Sequence, residues 1–286
     1  RTWTWSAWVK LSAFTAARRL FSARVGLTGD QTFIQASATD TLLIGGNSGA
    51  YELRTTAVYR DPSAWYHIVL AFDTTQATSS NRIKLYVNGS QVTALQTATY
   101  PSQNLDTFVN ATNPHSLGAE SGTPSEFLNG YMTETYLIDG QQLDATSFGE
   151  TNAQTGVWQP KAYSGSYGTN GFYLNFSDNS NTTAATLGKD YSGNGNNWTP
   201  NNFSVTAGAG NDSLVDSPTS YGTDTGVGGT VRGNYATLNP LATSVATPSN
   251  GNLDVTTSTS GNKVTLATFG MSSGKWYWEM LMNSSQ

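Results

Sequence analysis

Residues 65–92, WYHIVLAFDTTQATSSNRIKLYVNGSQV, contain two strongly patterned strands and the turn residues that pair them. In WYHIVLAFD, apolar side chains recur at every second position from Tyr66 onwards, as the two-residue period of a strand requires. RIKLYVNG repeats this alternation from Ile83 and ends in Asn88-Gly89, a pair that favours a two-residue type I′ turn. The stretch therefore predicts a three-strand antiparallel meander with one face in a hydrophobic core.

Strand-like alternation also marks the segments before the meander. Residues 2–11, TWTWSAWVKL, predict a strand whose tryptophans pack in the core and on the sheet face. Short alternating runs between residues 18 and 60 follow one another at a spacing of about ten residues, which is typical of a β-sandwich.

The segments after the meander are less uniform. Residues 100–113 predict a loop with one short strand near 107–109, and residues 144–149 predict a single helical turn. In GYMTETYLID, strict alternation would place Met132 and Tyr136 on one face, opposite Tyr131 and Leu137.

Composition restricts both the fold and the partners. Of 286 residues only 12% are charged, whereas 12% are aromatic and Gly, Ser, Thr and Asn are abundant, which favours short strands joined by polar turns. The net charge of -5 argues against nucleic acid, whose phosphates require a basic face. The chain has no cysteine, which excludes disulfides and thiolate metal sites. Membrane insertion is not expected, since no apolar run reaches the length of a membrane span.

Three segments resemble the laminin-G-like, concanavalin-type jelly-roll domains, a group that includes the pentraxins. They are the meander, the opening TWTWSAWVKLS, and SLGAESGTPSEFLNGYMTETYLIDGQQLD at residues 116–144. The resemblance covers residues 1–150. It implies an all-β fold: an antiparallel jelly-roll β-sandwich of the concanavalin A-like and laminin-G-like type, followed by an incomplete second β-sandwich at the C-terminus.

Residues 151–206 have a different sequence pattern, with more turn residues, and are expected to extend this sandwich. They contain GFYLNFSDNS and the turn-rich DYSGNGNNWTP, two pieces that laminin-G-like domains carry at their N-terminal edge. Either the strand order is permuted and GFYLNF completes an edge of the same sandwich, or a second incomplete module begins. We favour the first, because too few strands follow for an independent core. Residues 207–232 predict a Gly/Ser/Thr-rich linker.

Residues 233–286 resemble the start of a SPRY-like β-sandwich, with SGKWYWE at 273–279 as the sharpest mark. A complete domain of that kind needs on the order of a hundred residues, so this segment is expected to be truncated within a longer polypeptide. The succession of a laminin-G-like module, an SGNGN loop and a SPRY-like start resembles fibre and other structural proteins of tailed bacteriophages. This resemblance implies an exterior-facing virion protein, most naturally a homotrimer.

Catalytic chemistry finds little support. The β-glucanases of this fold need a Glu-x-Asp-x-x-Glu strand, which the chain lacks, and Glu134 stands alone. His67 and His115 have no recognisable nucleophile elbow or oxyanion loop beside them, and His67 is expected to be a sheet-face residue. The chain is therefore expected not to be an enzyme.

Two functions of different classes remain. The first is a tail or head fibre adhesin that binds host-surface carbohydrate, with sugar rings stacking on loop aromatics. The candidate residues are Trp158, Tyr163, Tyr167 and Trp198. The second is a capsid decoration or assembly protein that uses the sandwich only for packing against other virion proteins.

One metal site is a candidate. In pentraxin-like relatives, an acid after a Leu-Gly joins acidic or amide groups of an earlier loop around Ca²⁺, which takes six to eight oxygen ligands. The resemblance assigns Glu120, in LGAE, and Asp40 to such a calcium site. Gly122 replaces the second acid of the pattern, and two carboxylates alone leave most of the coordination shell unfilled, so ordinary solvated loop acids are favoured over a bound calcium ion. The Asp190 loop could also cradle an ion, although such runs more often form turns.

Overall fold

The structure of the protein, a computed structural model, describes residues 1–27, 29–218, 233–243, 247–256 and 263–282. Its strands are β1 (Thr2–Leu11), β2 (Arg18–Arg24), β3 (Gln31–Ala36), β4 (Thr41–Gly46), β5 (Tyr51–Val58), β6 (Tyr66–Asp73), β7 (Ile83–Val87), β8 (Ser90–Gln91), β9 (Leu95–Thr99), β10 (His115–Leu117), β11 (Gly130–Asp139), β12 (Gly149–Thr151), β13 (Trp158–Pro160), β14 (Phe172–Leu174), β15 (Leu238–Thr243), β16 (Pro248–Ser249), β17 (Asp254–Val255) and β18 (Thr265–Ala267). The single-turn 3-10 helices in these residues are Asn47–Gly49, Ser79–Asn81 and Ala145–Ser147, and the last confirms the turn expected at 144–149. Within the same ranges, no helix is long and apolar enough to cross a membrane.

Two six-stranded sheets form a β-sandwich in the described part of the chain. Sheet A has the strand order β14-β11-β1-β6-β7-β8, and sheet B has the order β10-β2-β3-β4-β5-β9. The strand pairings in both sheets are antiparallel. The all-β antiparallel sandwich expected from the sequence is therefore confirmed.

The tryptophans of β1 tie the two sheets together. Trp3 stacks on Phe72 of the neighbouring β6 with ring centroids 4.5 Å apart, and Trp5 stacks on Phe21 of sheet B at 5.9 Å. The indole N–H of Trp3 donates to Thr107 Oγ1 over 2.9 Å. Thr107 lies in an irregular segment, so the short strand expected at 107–109 is wrong: this segment closes the end of the sandwich instead of pairing.

The predicted meander is confirmed, with Leu70 of β6 opposite Leu85 of β7. Asn88 and Gly89 have φ angles of 47° and 84°, and a type I′ turn requires positive φ at both central positions. The sequence predicted that one face of the meander is buried. In the structure the other face is buried as well, at least at His67, which points away from the core and is fully buried.

The chain from residue 143 to residue 173 covers that outer face of sheet A. Val69, Tyr136 and Ile138 form a second hydrophobic cluster there with Ala145 and Phe148. The rings that pack on this cluster include Trp158, Tyr163, Tyr167 and Tyr173. Sequence alternation cannot reveal such a cover, because it depends on where a later segment returns.

A β-bulge interrupts β11 at Glu134. The register with β1 shifts between Ser6 and Trp8, and Glu134 has a φ of 48°, in the left-handed region that non-glycine residues enter at a cost. The extra residue reverses the alternation, so that Met132 packs against the main core whereas Tyr136 joins the outer cluster. The expectation that these two side chains share a face was therefore wrong.

The segment GFYLNF joins the edge of sheet A. Within it, β14 pairs with β11, and Phe172 and Leu174 enter the main core. Strands β12 and β13 pair with each other in a separate two-stranded ladder.

The C-terminal region contains two short ladders in the residues described, β15 with β18 and β16 with β17. Residues 219–232 of the expected linker and the last four residues lie outside the described ranges. Asp216, inside the expected linker, accepts a hydrogen bond from Lys10 of β1 over 2.8 Å. Side chains near the end of the described chain are exposed, with Tyr277 at 82% and Leu281 at 78%.

Candidate functional site

Sheet B has an outer face that neither hydrophobic cluster of the described residues covers. In β3, Ile34 and Ala36 enter the core, and the two-residue period of the strand turns Gln31, Phe33 and Gln35 to the outer face. The same alternation in β5 turns its charged side chains, Glu52 and Arg54, outward. We refer to this surface as the sheet B face.

The middle of the sheet B face is apolar. Phe33 lies opposite Gly45, where an added Cβ would come within 3.0 Å of the phenyl ring. The ring therefore occupies the space that a side chain at this glycine would take. Leu43, beside it on β4, is 8% exposed, and the Arg19 guanidinium lies 3.9 Å from the Phe33 centroid.

Polar groups surround this apolar centre. The side-chain oxygens of Gln31 and Gln35 are buried, and neither has a hydrogen-bond partner among the described residues. A buried acceptor left unpaired costs about 1–3 kcal/mol, so a donor hydroxyl arriving here would relieve that cost. Across the face, Arg54 Nε lies 3.5 Å from Glu52 Oε1, and both side chains are partly exposed. The face thus offers both donors and acceptors around an aromatic ring.

The loop after β10 closes one side of the sheet B face. Arg19 Nε lies 2.6 Å from Glu126, and Glu120 lies 3.0 Å from Arg24 Nη1 and 3.5 Å from Arg19 Nη2. Burial lowers the pKa of the Arg19 guanidinium, while the charges of Glu126 and Glu120 oppose that change. These ion pairs hold the loop over β2. The part of the sheet B face formed by β3 to β5 lies beside the loop and is not covered by it.

Trp158, one of the four aromatic candidates from the sequence, lies on the other sheet. Its indole N–H donates to His67 Nδ1 over 3.0 Å, and the two rings are stacked. A Cβ at Gly89 would come 2.8 Å from the indole, and one at Gly149 would come 2.5 Å from it. The faces of this ring are therefore occupied by contacts within the chain.

The other three aromatic candidates also pack within the chain. Tyr163 lies between Phe148 and Tyr167, at 5.3 Å and 5.2 Å. Trp198 meets Phe172 edge to face at 4.9 Å. All three are half-buried. The structure groups Trp158, Tyr163 and Tyr167 on the cover of sheet A and separates Trp198 from them; their role as sugar platforms stays a prediction.

The two acids assigned to calcium are each bonded to basic side chains. Asp40 accepts hydrogen bonds from Arg60 Nε and from the Thr15 backbone N–H, both over 2.6 Å. Glu120 pairs with Arg24 and accepts the Ser125 hydroxyl. Among the described residues, no group of three or more acidic or histidine side chains could hold a metal ion. This donor set does not fit Ca²⁺, which needs several oxygen ligands free of competing cations.

The loop that begins at Asp190 is a closed hydrogen-bonded turn. The carboxylate of Asp190 accepts the backbone N–H groups of Tyr173, Ser192 and Asn196 and the Ser192 hydroxyl. The side-chain amides of Asn194 and Asn196 both donate to Gly171 O over 2.9 Å. The loop therefore fastens the chain before β14, and its oxygens already have donors.

Ser6 and His67 form a buried pair, with Ser6 Oγ 2.9 Å from His67 Nε2. Because the Trp158 indole can only donate, His67 Nδ1 must accept its hydrogen bond, and the imidazole proton then resides on Nε2. His67 therefore donates to Ser6 and cannot remove its proton. Desolvation lowers the pKa of His67 to about 3, so the ring is neutral near pH 7. This geometry opposes nucleophilic catalysis by Ser6.

The sheet B face was missed in the sequence, although a signal for it was present. QTFIQA alternates Gln31, Phe33 and Gln35 with small or apolar residues, which is the pattern of a strand that is polar on one side. Only aromatic residues in loops were considered as sugar-binding candidates from the sequence, and Phe33, which lies in strand β3, was therefore not included.

The sandwich and its open polar face define the class of the protein, a lectin-like β-sandwich. Residues 1–146, just over half of the chain, match the family model Laminin_G_3, the Concanavalin A-like lectin/glucanases superfamily. The chain belongs to this family.

Several solved structures are similar to the chain. They include a native heptameric SAP-like pentraxin from Limulus polyphemus, with 15% identity and a TM-score of 0.36 over 50% of this chain and 65% of the pentraxin chain. The CBM40 of Ruminococcus gnavus IT-sialidase bound to α2,3 sialyllactose shows 19% identity and a TM-score of 0.36 over 48% and 73%. Mouse laminin α1 domains LG4-5 show 14% identity and a TM-score of 0.36 over 61% and 40%. No curated protein matches the chain in sequence.

Proposed function

We propose that the protein is a non-enzymatic module that binds carbohydrate through the sheet B face. The observation that carries this proposal is the pair of buried oxygens of Gln31 and Gln35, which have no hydrogen-bond partner among the described residues and lie beside the partly exposed Phe33. The outer face of sheet A is covered by the chain's own residues, whereas the sheet B face is open over β3 to β5. Membership of a family that contains lectins supports the same proposal.

Each group on the face has a role suited to a sugar. The oxygens of Gln31 and Gln35 accept hydrogen bonds from sugar hydroxyl groups, and the guanidinium of Arg54 donates hydrogen bonds to hydroxyl oxygens. The Glu52 carboxylate accepts further hydrogen bonds from hydroxyl groups. The part of the Phe33 ring that the Arg19 guanidinium leaves uncovered provides apolar surface for the C–H groups of a pyranose ring.

The setting we propose is the virion of a tailed bacteriophage, where the module serves as a tail or head fibre adhesin for host-surface glycans. A homotrimer is the proposed assembly, and residues 233–286 are proposed to begin a SPRY-like domain. Labelled-antibody imaging of intact particles tests this setting: density at a fibre tip in multiples of three supports it, and an even distribution over a capsid shell contradicts it.

A glycan array followed by titration calorimetry tests the binding face. Gln35→Ala and Arg54→Ala should each weaken binding about tenfold, or ~1.4 kcal/mol, because each removes a hydrogen-bonding group from the face. Lys84→Ala removes a charge from β7 in sheet A and is the matched control. Binding that survives both sheet B substitutions, or an array without any hit, would refute the proposal.

A further inference from the structure

Lys10, Asp216 and Asn234 form a constellation that the carbohydrate proposal does not use, and the side chains of Lys10 and Asp216 in it are buried. Lys10 Nζ donates to Asp216 Oδ2 over 2.8 Å, to Asn234 Oδ1 over 2.9 Å and to the Tyr235 carbonyl over 2.8 Å. An ammonium group has three donors, and all three are used here. The Lys10 side chain is 1% exposed and the Asp216 side chain is 5% exposed.

Aromatic rings and one backbone carbonyl hold the three groups in place. The Trp65 indole donates to Asp216 Oδ1 over 3.1 Å, and the Tyr131 ring centroid lies 5.7 Å from Lys10 Nζ. Asn234 Nδ2 donates to Ser63 O over 2.6 Å. This contact fixes the carboxamide with its oxygen toward Lys10 and its nitrogen away from it.

We propose that Lys10 and Asn234 become joined by an amide bond that the protein forms on itself, with Asp216 as the proton carrier. An amine needs three things to attack a carboxamide: a held position, a base that removes its proton, and an acid that protonates the leaving nitrogen. The carboxamide carbon lies one C=O bond, about 1.2 Å, from the oxygen that Lys10 contacts. Asp216 can serve as both base and acid.

The reaction balances without any external reagent. Lys10 passes one proton to Asp216 along their 2.8 Å hydrogen bond, which leaves a neutral amine beside a carboxylic acid. Rotation about Cε–Nζ turns the amine lone pair toward Asn234 Cγ, and a Lys10 Nζ–Cγ bond forms. Asp216 then protonates the carboxamide nitrogen, the Cγ–Nδ2 bond breaks, and ammonia departs and takes up the remaining proton. The ammonia has a route to solvent, since residue Asn234 is exposed.

Intact-mass spectrometry of the full chain tests this proposal. The folded protein should be lighter than its sequence by one ammonia. Trypsin should release residues 2–18 joined to residues 233–263, because a lysine in amide linkage is no longer cleaved. An intact mass equal to that of the sequence, with cleavage after Lys10, would overturn the proposal.

Three variants separate this bond from other losses of ammonia. Lys10→Arg keeps a cation beside Asp216 but has no amine to react, and Asn234→Ala removes the exposed acceptor with little risk to the fold. Both should restore the full mass. An ammonia loss that persists in either variant would arise elsewhere, for example at an Asn-Gly pair, and would overturn the proposal. Asp216→Asn should abolish the joined peptide, and its survival would refute the role given to the carboxylate.

Discussion

Asp190→Ala should destabilise the protein by about 3 kcal/mol, because one buried carboxylate organises both β14 and the loop behind it. Asp190 is 6% exposed. Its oxygens accept the N–H of Tyr173 over 2.9 Å, both the N–H and the hydroxyl of Ser192 over 2.8 Å, and the N–H of Asn196 over 2.9 Å.

The magnitude follows from which donors water can reach after the substitution. A hydrogen bond to a charged group contributes about 1.5–3 kcal/mol, so four of them would suggest roughly 6–12 kcal/mol if all stayed buried and unpaired. Ser192 and Asn196 are half-buried in a surface loop and can recover water. Tyr173 lies within β14, and its N–H keeps most of the penalty. One full loss and a partial loss from the loop give about 3 kcal/mol.

Urea unfolding followed by tryptophan fluorescence measures this loss in the free energy of unfolding. In thermal unfolding, the same loss should lower the Tm by roughly 6–12 °C. Asp178→Ala is the matched control: Asp178 forms the same Asp-x-Ser turn, accepting the N–H and hydroxyl of Ser180, but it is only partly buried and Ser180 is exposed. Its replacement should leave the Tm unchanged. Equal effects of the two substitutions would refute the reasoning.

Three further outcomes are expected. Burial lowers the pKa of His67 to about 3 in the folded chain, so only the unfolded chain takes up this proton as the pH falls below about 6.5. Relative to His67→Gln, the free energy of unfolding should therefore drop by about 1.4 kcal/mol per pH unit down to about pH 3. Denaturation curves of the two proteins that shift equally with pH would contradict this. Millimolar calcium or a chelator should leave the Tm unchanged in calorimetry, since Asp40 and Glu120 are bonded to arginines; a rise with calcium would restore the metal site. Trp158→Ala should cost about 2–3 kcal/mol in urea unfolding, less than the ~3–5 kcal/mol of a fully buried aromatic, because the ring is only partly buried; a loss below about 1 kcal/mol would show that the ring is not packed.

The meander and the fold class could be read from the sequence because both depend on local periodicity. Alternation in β6 and β7, with Asn88-Gly89 after β7, specifies strands, a turn and a register without reference to the rest of the chain. The bulge at Glu134 could not be read in this way, since one extra residue leaves the composition of the strand unchanged. It reversed the face assigned to Met132.

The candidate site was harder to predict because it depends on which surfaces the chain later covers. Trp158 and Tyr163 have the composition of a sugar platform, but the segment that carries them folds back over sheet A. Asp40 and Glu120 have the residue types of a metal site, and only their distances to arginine side chains reveal how they are used. The alternation of β3 predicts that Gln35 points outward. That its side-chain oxygen has no hydrogen-bond partner among the described residues could be seen only in the structure.

The contact of Lys10 with Asn234 also determines how the protein would respond to mechanical tension. These two residues are 224 positions apart, and Lys10 stands near the end of the first strand. Once the proposed bond has formed, a force pulling on the two chain ends passes from β1 directly to Asn234. The sandwich between them then bears no extension, and the sheet B face keeps its shape while the chain is under tension.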